Sequence, residues 1–424
     1  MSSEDAALSS RAAAVMPWRD GLYGHMSTAL LPAGYPQFYE RGQGGRVWDV
    51  NGNSYIDLMC SWGTIVLGHH HTAVEAAVAN QQALGDCLNG PGRPMVELAE
   101  LLTETIGHAD WAMFAKNGTD ATTICTMVAR AATGRRYILV ARGAYHGSAP
   151  WCTPRLDGTI AEDRGRIERY DFNDLATVQA AVDRCGGDVA GIMVSPFKHD
   201  AGHDQALATP EFASGLRALC DRLGAALILD EVRGGFRLNF GGSWDELGVD
   251  ADLSAWGKAI ANGYPLSVVL GADALRDAAS SIFVTGSYWY SSVAMAAALA
   301  TLNVLREQDG VRLMRAAGQR LREGLQAHAA AHGLEILQTG PPQLPYMTFA
   351  GDPAKERLRL FTQEALRNGL WLHPGHNWFL SVAHGEREIE GALAAAGKAF
   401  ASVAEGSEGA RAVSPLGDGS EQRV

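Results

Sequence analysis

The chain has 424 residues, 47% of them hydrophobic, enough to build a large core in two or more lobes. Its 35 basic and 47 acidic residues give a formal net charge of -12 with no basic stripe, which excludes a general nucleic-acid binder. No apolar run is long enough to span a bilayer, and the N-terminal stretch carries acids early and lacks a long apolar segment, so neither a membrane span nor a signal peptide is expected.

Residues 1–16 are small and polar and read as a frayed helix or disorder. Short strands at 47–50 and 55–59 flank Asn51-Gly52, a hairpin turn signal. Helical spacing follows over 72–88 and 95–106. From about residue 111 the pattern alternates. Apolar strands at 137–140, 189–194, 225–229 and 267–270 are separated by helices at 121–132, 175–185, 210–223 and 252–261. Continuous apolar strands between amphipathic helices predict an α/β fold with a mainly parallel sheet covered on both faces. Beyond Ser292 come two long helices, a strand at 346–349, a helix at 353–368, a strand at 379–382 and a helix at 386–401, which read as a smaller α+β lobe. The expected organisation is an N-terminal segment (1–60) contributing to the small domain, a large domain (61–300), a small domain (301–403) and a disordered tail rich in Gly, Ser and Glu (404–424). The six cysteines show no CxxC spacing and read as free thiols in a reducing cytoplasm.

Two positions carry the chemistry. Asp230 closes the apolar run 225–229, and Lys258 lies in an otherwise uncharged segment, Ala255-Trp256-Gly257-Lys258-Ala259-Ile260-Ala261. A carboxylate buried at a strand end needs a charged partner, and a desolvated lysine has a lowered pKa. Pyridoxal phosphate answers both needs: the lysine holds it as a Schiff base, and the carboxylate keeps its ring nitrogen protonated. Taken alone, Asp230 also reads as a helix cap or turn residue, and Lys258 as a surface lysine. Gly118-Thr119 at a helix start offers backbone N–H groups and a hydroxyl to a phosphate, or is simply part of a helix cap. Tyr145-His146 leaves the end of a strand, where an aromatic either stacks on a flat ring or packs locally.

Taken in this order, the motifs resemble the class III aminotransferases of pyridoxal-phosphate fold type I, and in particular the glutamate-1-semialdehyde aminomutase-like subgroup. The resemblance runs from about Gly42 to Phe400. It is carried by the 47–57 stretch VWDVNGNSYID, Trp62-Gly63, Gly68-His69, Asn117-Gly118-Thr119-Asp120, Tyr145-His146-Gly147, Asp230-Glu231-Val232, Gly235-Phe236-Arg237 and Gly257-Lys258. It implies that Lys258 is the internal aldimine lysine and the proton shuttle, and that Asp230 holds the pyridine nitrogen. It implies that Val232 packs behind the ring, that Tyr145 stacks in front, and that Gly118 and Thr119 hold the phosphate. Ser287 stands where the family usually has a threonine that reaches the neighbouring subunit's phosphate, implying a homodimer with shared sites. Trp62 stands where the subgroup places an aromatic over the substrate.

Several departures from the family pattern bear on the substrate. Ser27 falls about where the aminomutase has a carboxylate-binding arginine, which argues against glutamate 1-semialdehyde. Arg233 replaces the usual Gln or Met after Asp-Glu-Val; it either binds a substrate carboxylate or alters the cofactor's electronics, or else turns away to pair with Glu231 or a backbone carbonyl. Ser195, His199 and Asp200 do not read as a hydrolytic triad, because no GxSxG elbow is present. His69-His70-His71 reads as structural rather than as a metal site. Tyr288, Trp289 and Tyr290 line either a pocket or a dimer interface. The leading expectation is transfer of an amino group from a small-molecule amine or amino acid to a keto acid or aldehyde. The alternatives are an intramolecular aminomutase, another pyridoxal-phosphate reaction such as decarboxylation or elimination, and a cofactor-retaining binding protein.

Overall fold

The computed structural model describes residues 3–17 and 30–411, so the expectation for Ser27 lies outside the described residues. Near the N-terminus, Ser3–Val15 forms a helix. Strands β1 (Tyr39–Gln43), β2 (Arg46–Asp49) and β3 (Ser54–Asp57) follow as an antiparallel meander. Its second turn uses Gly52 at φ 82, a left-handed conformation that costs glycine little.

The central sheet is built from β4 (Trp111–Ala115), β5 (Tyr137–Ala141), β6 (Ile167–Tyr170), β7 (Val189–Val194), and, beyond the short pair β8 (Phe197–Lys198) and β9 (Ala206–Leu207), β10 (Ala226–Asp230), β11 (Leu253–Trp256) and β12 (Ser267–Gly271). Its order is β4-β12-β11-β10-β7-β5-β6, and only β12 runs against the others. Alternate residues explain the burial on both faces. Leu227 and Leu229 pack with Phe212 and Leu216 of the helix Pro210–Leu223, whereas Ala226 and Ile228 pack with Ile124 and Val128 of the helix Gly118–Thr133. This mixed, mostly parallel sheet with flanking helices is the expected α/β architecture.

After the helices Ser292–Glu307 and Gly310–Ala331, β13 (Ile336–Thr339) pairs with β14 (Tyr346–Phe349). The two-residue β15 (Leu370–Trp371) then pairs parallel with β3, so the N-terminal meander and the C-terminal region share one sheet.

Three expectations need correction. The helix expected over 252–261 is instead β11 followed by a single turn, Lys258–Ala261. Leucine and alanine favour helix there, but β11 is held between β10 and β12 with every residue buried, and sheet pairing overrides propensity. The strand expected over 379–382 makes no ladder. Its backbone N–H groups are taken singly: Phe379 donates to the Leu58 carbonyl, Leu380 to that of Gln343 and Val382 to that of Val66. Finally, the helix that starts at Glu386 continues to Arg411, so residues 404–411 extend it rather than opening a disordered tail.

Candidate active site

The carboxyl ends of neighbouring strands gather the predicted residues along one edge of the sheet. In an open, mostly parallel sheet this edge is where ligands bind. β4 leads to Gly118 and Thr119, β5 to Tyr145 and His146, β7 to His199, β10 ends on Asp230, and β11 leads to Lys258. β10 and β11 are adjacent and parallel, with Asp230 opposite Ala255, three residues before Lys258. Correcting the helix to a strand therefore brings the acid and the amine onto neighbouring strand ends.

Asp230 is buried, and its Oδ2 lies 2.6 Å from Nδ1 of His146, while its Oδ1 accepts the Val232 N–H. His146 is buried too, and its Nε2 has no partner among the described residues. Lys258 begins its turn at φ 44, a conformation that costs a non-glycine residue and is typical of functional sites. Burial first, and then the charge of Arg233, lowers the Lys258 amine from its ordinary 10.5 to about 7. Glu231 turns away from the site. Its carboxylate accepts the N–H and hydroxyl of Ser243 at 2.7 and 2.5 Å, and burial pushes it up to about 7.

Val232 is wedged between two glycines: a Cβ on Gly118 would lie 2.7 Å from its Cγ1, and one on Gly257 would lie 3.7 Å away. The N-terminus of the helix Gly118–Thr133 thus sits directly against Val232. Asp120 Oδ2 accepts the Asn117 N–H ahead of this helix, and Thr119 Oγ1 accepts the Ser148 N–H. Thr122 donates to the His146 carbonyl at 2.7 Å, fastening the helix to the loop that carries Tyr145. Tyr145 is 37% exposed, leaving its ring free to meet a ligand.

Trp62 lies in a turn where Cys60, Ser61, Trp62 and Gly63 all have positive φ, between 48 and 90. Arg237, fully buried, donates to the carbonyls of Gly63, Ile65 and Leu380 and so clamps this turn. The turn packs against the one that begins at Lys258. Arg233 donates to Asn377 Oδ1 at 2.6 Å and, more weakly, to the His199 carbonyl at 3.4 Å, and not to Glu231. Ser287 is exposed among Phe283, Tyr288 and Tyr290, and no hydrogen bond joins it to the other site residues among those described.

Sequence reading missed Arg237 and His199 as parts of the site, and it did not foresee that His146 would pair with Asp230 or Asn377 with Arg233. His146 is a candidate for ring stacking from its place after a strand, and Asn377 falls in a stretch expected near the entry to the site, but Asn377 lies 144 positions from its partner Arg233, so their pairing gave no sequence signal. His69 pairs with Asp57 at 2.8 Å, and no group of three or more His, Cys, Asp or Glu residues suited to a metal occurs among the described residues.

The site fits pyridoxal phosphate. A buried carboxylate suits a protonated ring nitrogen, a lysine with a lowered pKa suits an aldehyde, and a helix N-terminus with no room for a Cβ at Gly118 suits a phosphate. Residues 31–384 match the aminotransferase class-III family. The chain belongs to the class III aminotransferases. It is 47% identical over 396 residues to the aminopentol aminotransferase of Sphingopyxis macrogoltabida, covering 93% of each protein. It is 33% identical to the glutamate-1-semialdehyde 2,1-aminomutase of Chloroflexus aurantiacus, covering 88% of this chain and 92% of that protein. Among solved structures, the PLP internal aldimine form of the FumI protein of Sphingopyxis sp. MTA144 superposes with a TM-score of 0.93 at 46% identity, covering 95% of this chain and 97% of that one. This class III aminotransferase is thus an enzyme of pyridoxal-phosphate fold type I, and pyridoxal phosphate is its cofactor.

Proposed function

We propose that this aminotransferase moves the amino group of a small primary amine or amino acid onto a keto acid or aldehyde, with Lys258 as its catalytic residue. The observation that carries this reading is the placement of Asp230 and Lys258 on the ends of adjacent parallel strands, with the lysine amine lowered to about 7. The bound cofactor supplies the carbonyl that takes the amino group and a ring that accepts electrons. Lys258 Nζ takes the proton from the substrate carbon that bears nitrogen and returns it on the far side of the exchange. Asp230, steadied by His146, holds the proton of the ring nitrogen. Gly118 and Thr119 hold the phosphate, Val232 and Tyr145 flank the ring, and Trp62 covers the substrate. The kinship to an aminopentol aminotransferase supports an amine donor bearing hydroxyl groups.

Two copies of the chain share their sites, with Ser287 of each reaching the other's cofactor phosphate. The exposed aromatics around Ser287 support this reading. Residues 61–300 form the large cofactor domain and 301–403 the small one, to which residues 1–60 contribute; the β3–β15 pairing supports the last assignment. The enzyme works in the cytoplasm, a reading supported by its six free thiols.

The test is a screen of amine donors against the purified holoenzyme. Transamination predicts that at least one donor converts the cofactor stoichiometrically to its amino form and releases the matching carbonyl compound. An isomerised product with no released carbonyl compound would instead establish an aminomutase.

A further inference from the structure

Arg233 is a buried cation that makes no direct ion pair among the described residues. No ion pair joins it to a carboxylate among the described residues, and only one of its nitrogens is used: Nη1 donates to Asn377 Oδ1 and the His199 carbonyl, both uncharged acceptors. On the other side of the guanidinium, the Nε–Nη2 edge makes no hydrogen bond among the described residues, and Nε is buried without a partner. Asp230 and Asp200 partly offset its charge from a distance, but neither forms an ion pair with it. Asp230 is engaged by His146. Asp200 lies 3.8 Å from Lys198 and backs Gly143, where a Cβ would come within 2.4 Å of its Oδ2. His199 and His376 are held well below the usual histidine range, by burial first and then by the charge of Arg233, so they stay neutral beside it. Burial lowers Arg233 itself to about 10, outweighing the opposing influence of Asp230, Tyr145 and Asp200.

A desolvated guanidinium with one edge fixed and the two-donor edge unpaired is suited to receive a planar anion with two oxygens. Arg233 also acts on Lys258, being the second cause, after burial, of its lowered pKa. Arg233 follows Asp230 and Val232 at the end of β10, where Val232 lies 3.7 Å from a Cβ placed on Gly257, the residue before Lys258, so an anion it receives lies on the side of the sheet where that lysine stands. We infer that Arg233 is the specificity-determining residue that receives the carboxylate of an α-keto acid acceptor, or of an α-amino acid donor, on its Nε–Nη2 edge. This deepens the aminotransfer reading and rests on it. Asn377, from the C-terminal region, positions the guanidinium, so docking of the carboxylate links residues 144 apart in sequence.

Two measurements test the inference. In the first, calorimetry on the wild-type holoenzyme compares the unreactive probes propionate and propionamide, which differ only in charge and in one oxygen. Propionate is expected to bind about 10- to 100-fold more tightly, and Arg233→Gln is expected to remove most of that difference. Equal binding of the two probes, binding of neither, or a preference unchanged in the variant would overturn the inference. In the second, the cofactor's amino form is reacted with glyoxylate and with acetaldehyde, which place a carboxylate or a methyl group on the same aldehyde. The wild-type preference for glyoxylate, as a ratio of kcat/KM, is expected to fall about 10- to 100-fold in Arg233→Gln. A ratio that stays the same while both rates fall would assign Arg233 to the cofactor or the fold instead. Failure of either measurement would leave the donor screen standing, because conversion by an amine lacking a carboxylate does not depend on this docking.

Discussion

A lysine amine reacts with an aldehyde only when it is unprotonated, and an ordinary lysine with a pKa near 10.4 leaves on the order of one part in a thousand free at neutral pH. Burial and the charge of Arg233 bring Lys258 to about 7, so roughly half of the cofactor-free protein carries a free amine there. The sign is direct: raising the pH through 7 removes the proton. The rate at which apo-protein takes up pyridoxal phosphate is therefore expected to climb about tenfold per unit below pH 6 and to level off above pH 8. Stopped-flow absorbance across that range checks it; a rate still climbing past pH 9 would mean the amine is not lowered. Arg233→Gln, which removes the second cause of the shift, should move the midpoint upward. A second residue-scale outcome concerns His146, whose ring lies 2.6 Å from Asp230 Oδ2. A hydrogen bond to a charged group contributes about 1.5–3 kcal/mol, so His146→Ala should lower kcat/KM about 10- to 100-fold. Asn at 146, which retains a donor, should recover part of that loss. Steady-state kinetics on the two variants would settle whether His146 positions Asp230 or merely fills space.

At the scale of elements, the site depends on the close approach of a helix N-terminus to a loop. The start of the helix Gly118–Thr133 touches Val232, and nothing larger than glycine fits: a Cβ at Gly118 would be 2.7 Å from Val232 Cγ1. Gly118→Ala must push the helix start or Val232 aside. Because the backbone N–H groups at that start are the proposed phosphate cradle, the expected outcome is at least a tenfold weaker affinity for pyridoxal phosphate, with global stability changed by about 1–3 kcal/mol. Equilibrium dialysis paired with denaturant unfolding separates the two effects. This region also shows what the sequence made legible. An apolar run ending in aspartate announced β10 and Asp230, and the helix Pro210–Leu223 appears with its expected bounds because Thr209 caps it and proline opens it. The segment around Lys258 misled because its leucine and alanine residues favour helix, whereas its state is decided by strands that pair with it from positions 226–230 and 267–271. Likewise, Arg233 was recognisable as a departure from the family pattern, but its uncharged partners were not, since Asn377 and the His199 carbonyl arrive only through folding.

At the scale of the whole molecule, the surface carries an exposed aromatic strip around Ser287: Phe283 is 85% exposed, Tyr288 69% and Tyr290 41%. Large apolar side chains this exposed suit an interface, where aromatics are enriched. If two copies of the chain bury this strip against each other, each site combines Lys258 of one protomer with the hydroxyl of Ser287 from its partner. Such sharing has a consequence that separate sites cannot imitate. Lys258→Ala and Ser287→Asp are each expected to be nearly inactive as homodimers, the first for want of the amine and the second because a carboxylate repels the phosphate. When the two proteins are unfolded together and refolded as a mixture, half of the dimers pair one of each. In those dimers one site lacks both native groups, and the other has both, because the intact lysine belongs to the Ser287→Asp chain and the intact serine to the Lys258→Ala chain. Activity should therefore return to about a quarter of the wild-type level for a two-fold symmetric dimer. Light scattering on the same sample confirms the dimer, and an inactive dimeric mixture would mean that each chain completes its own site.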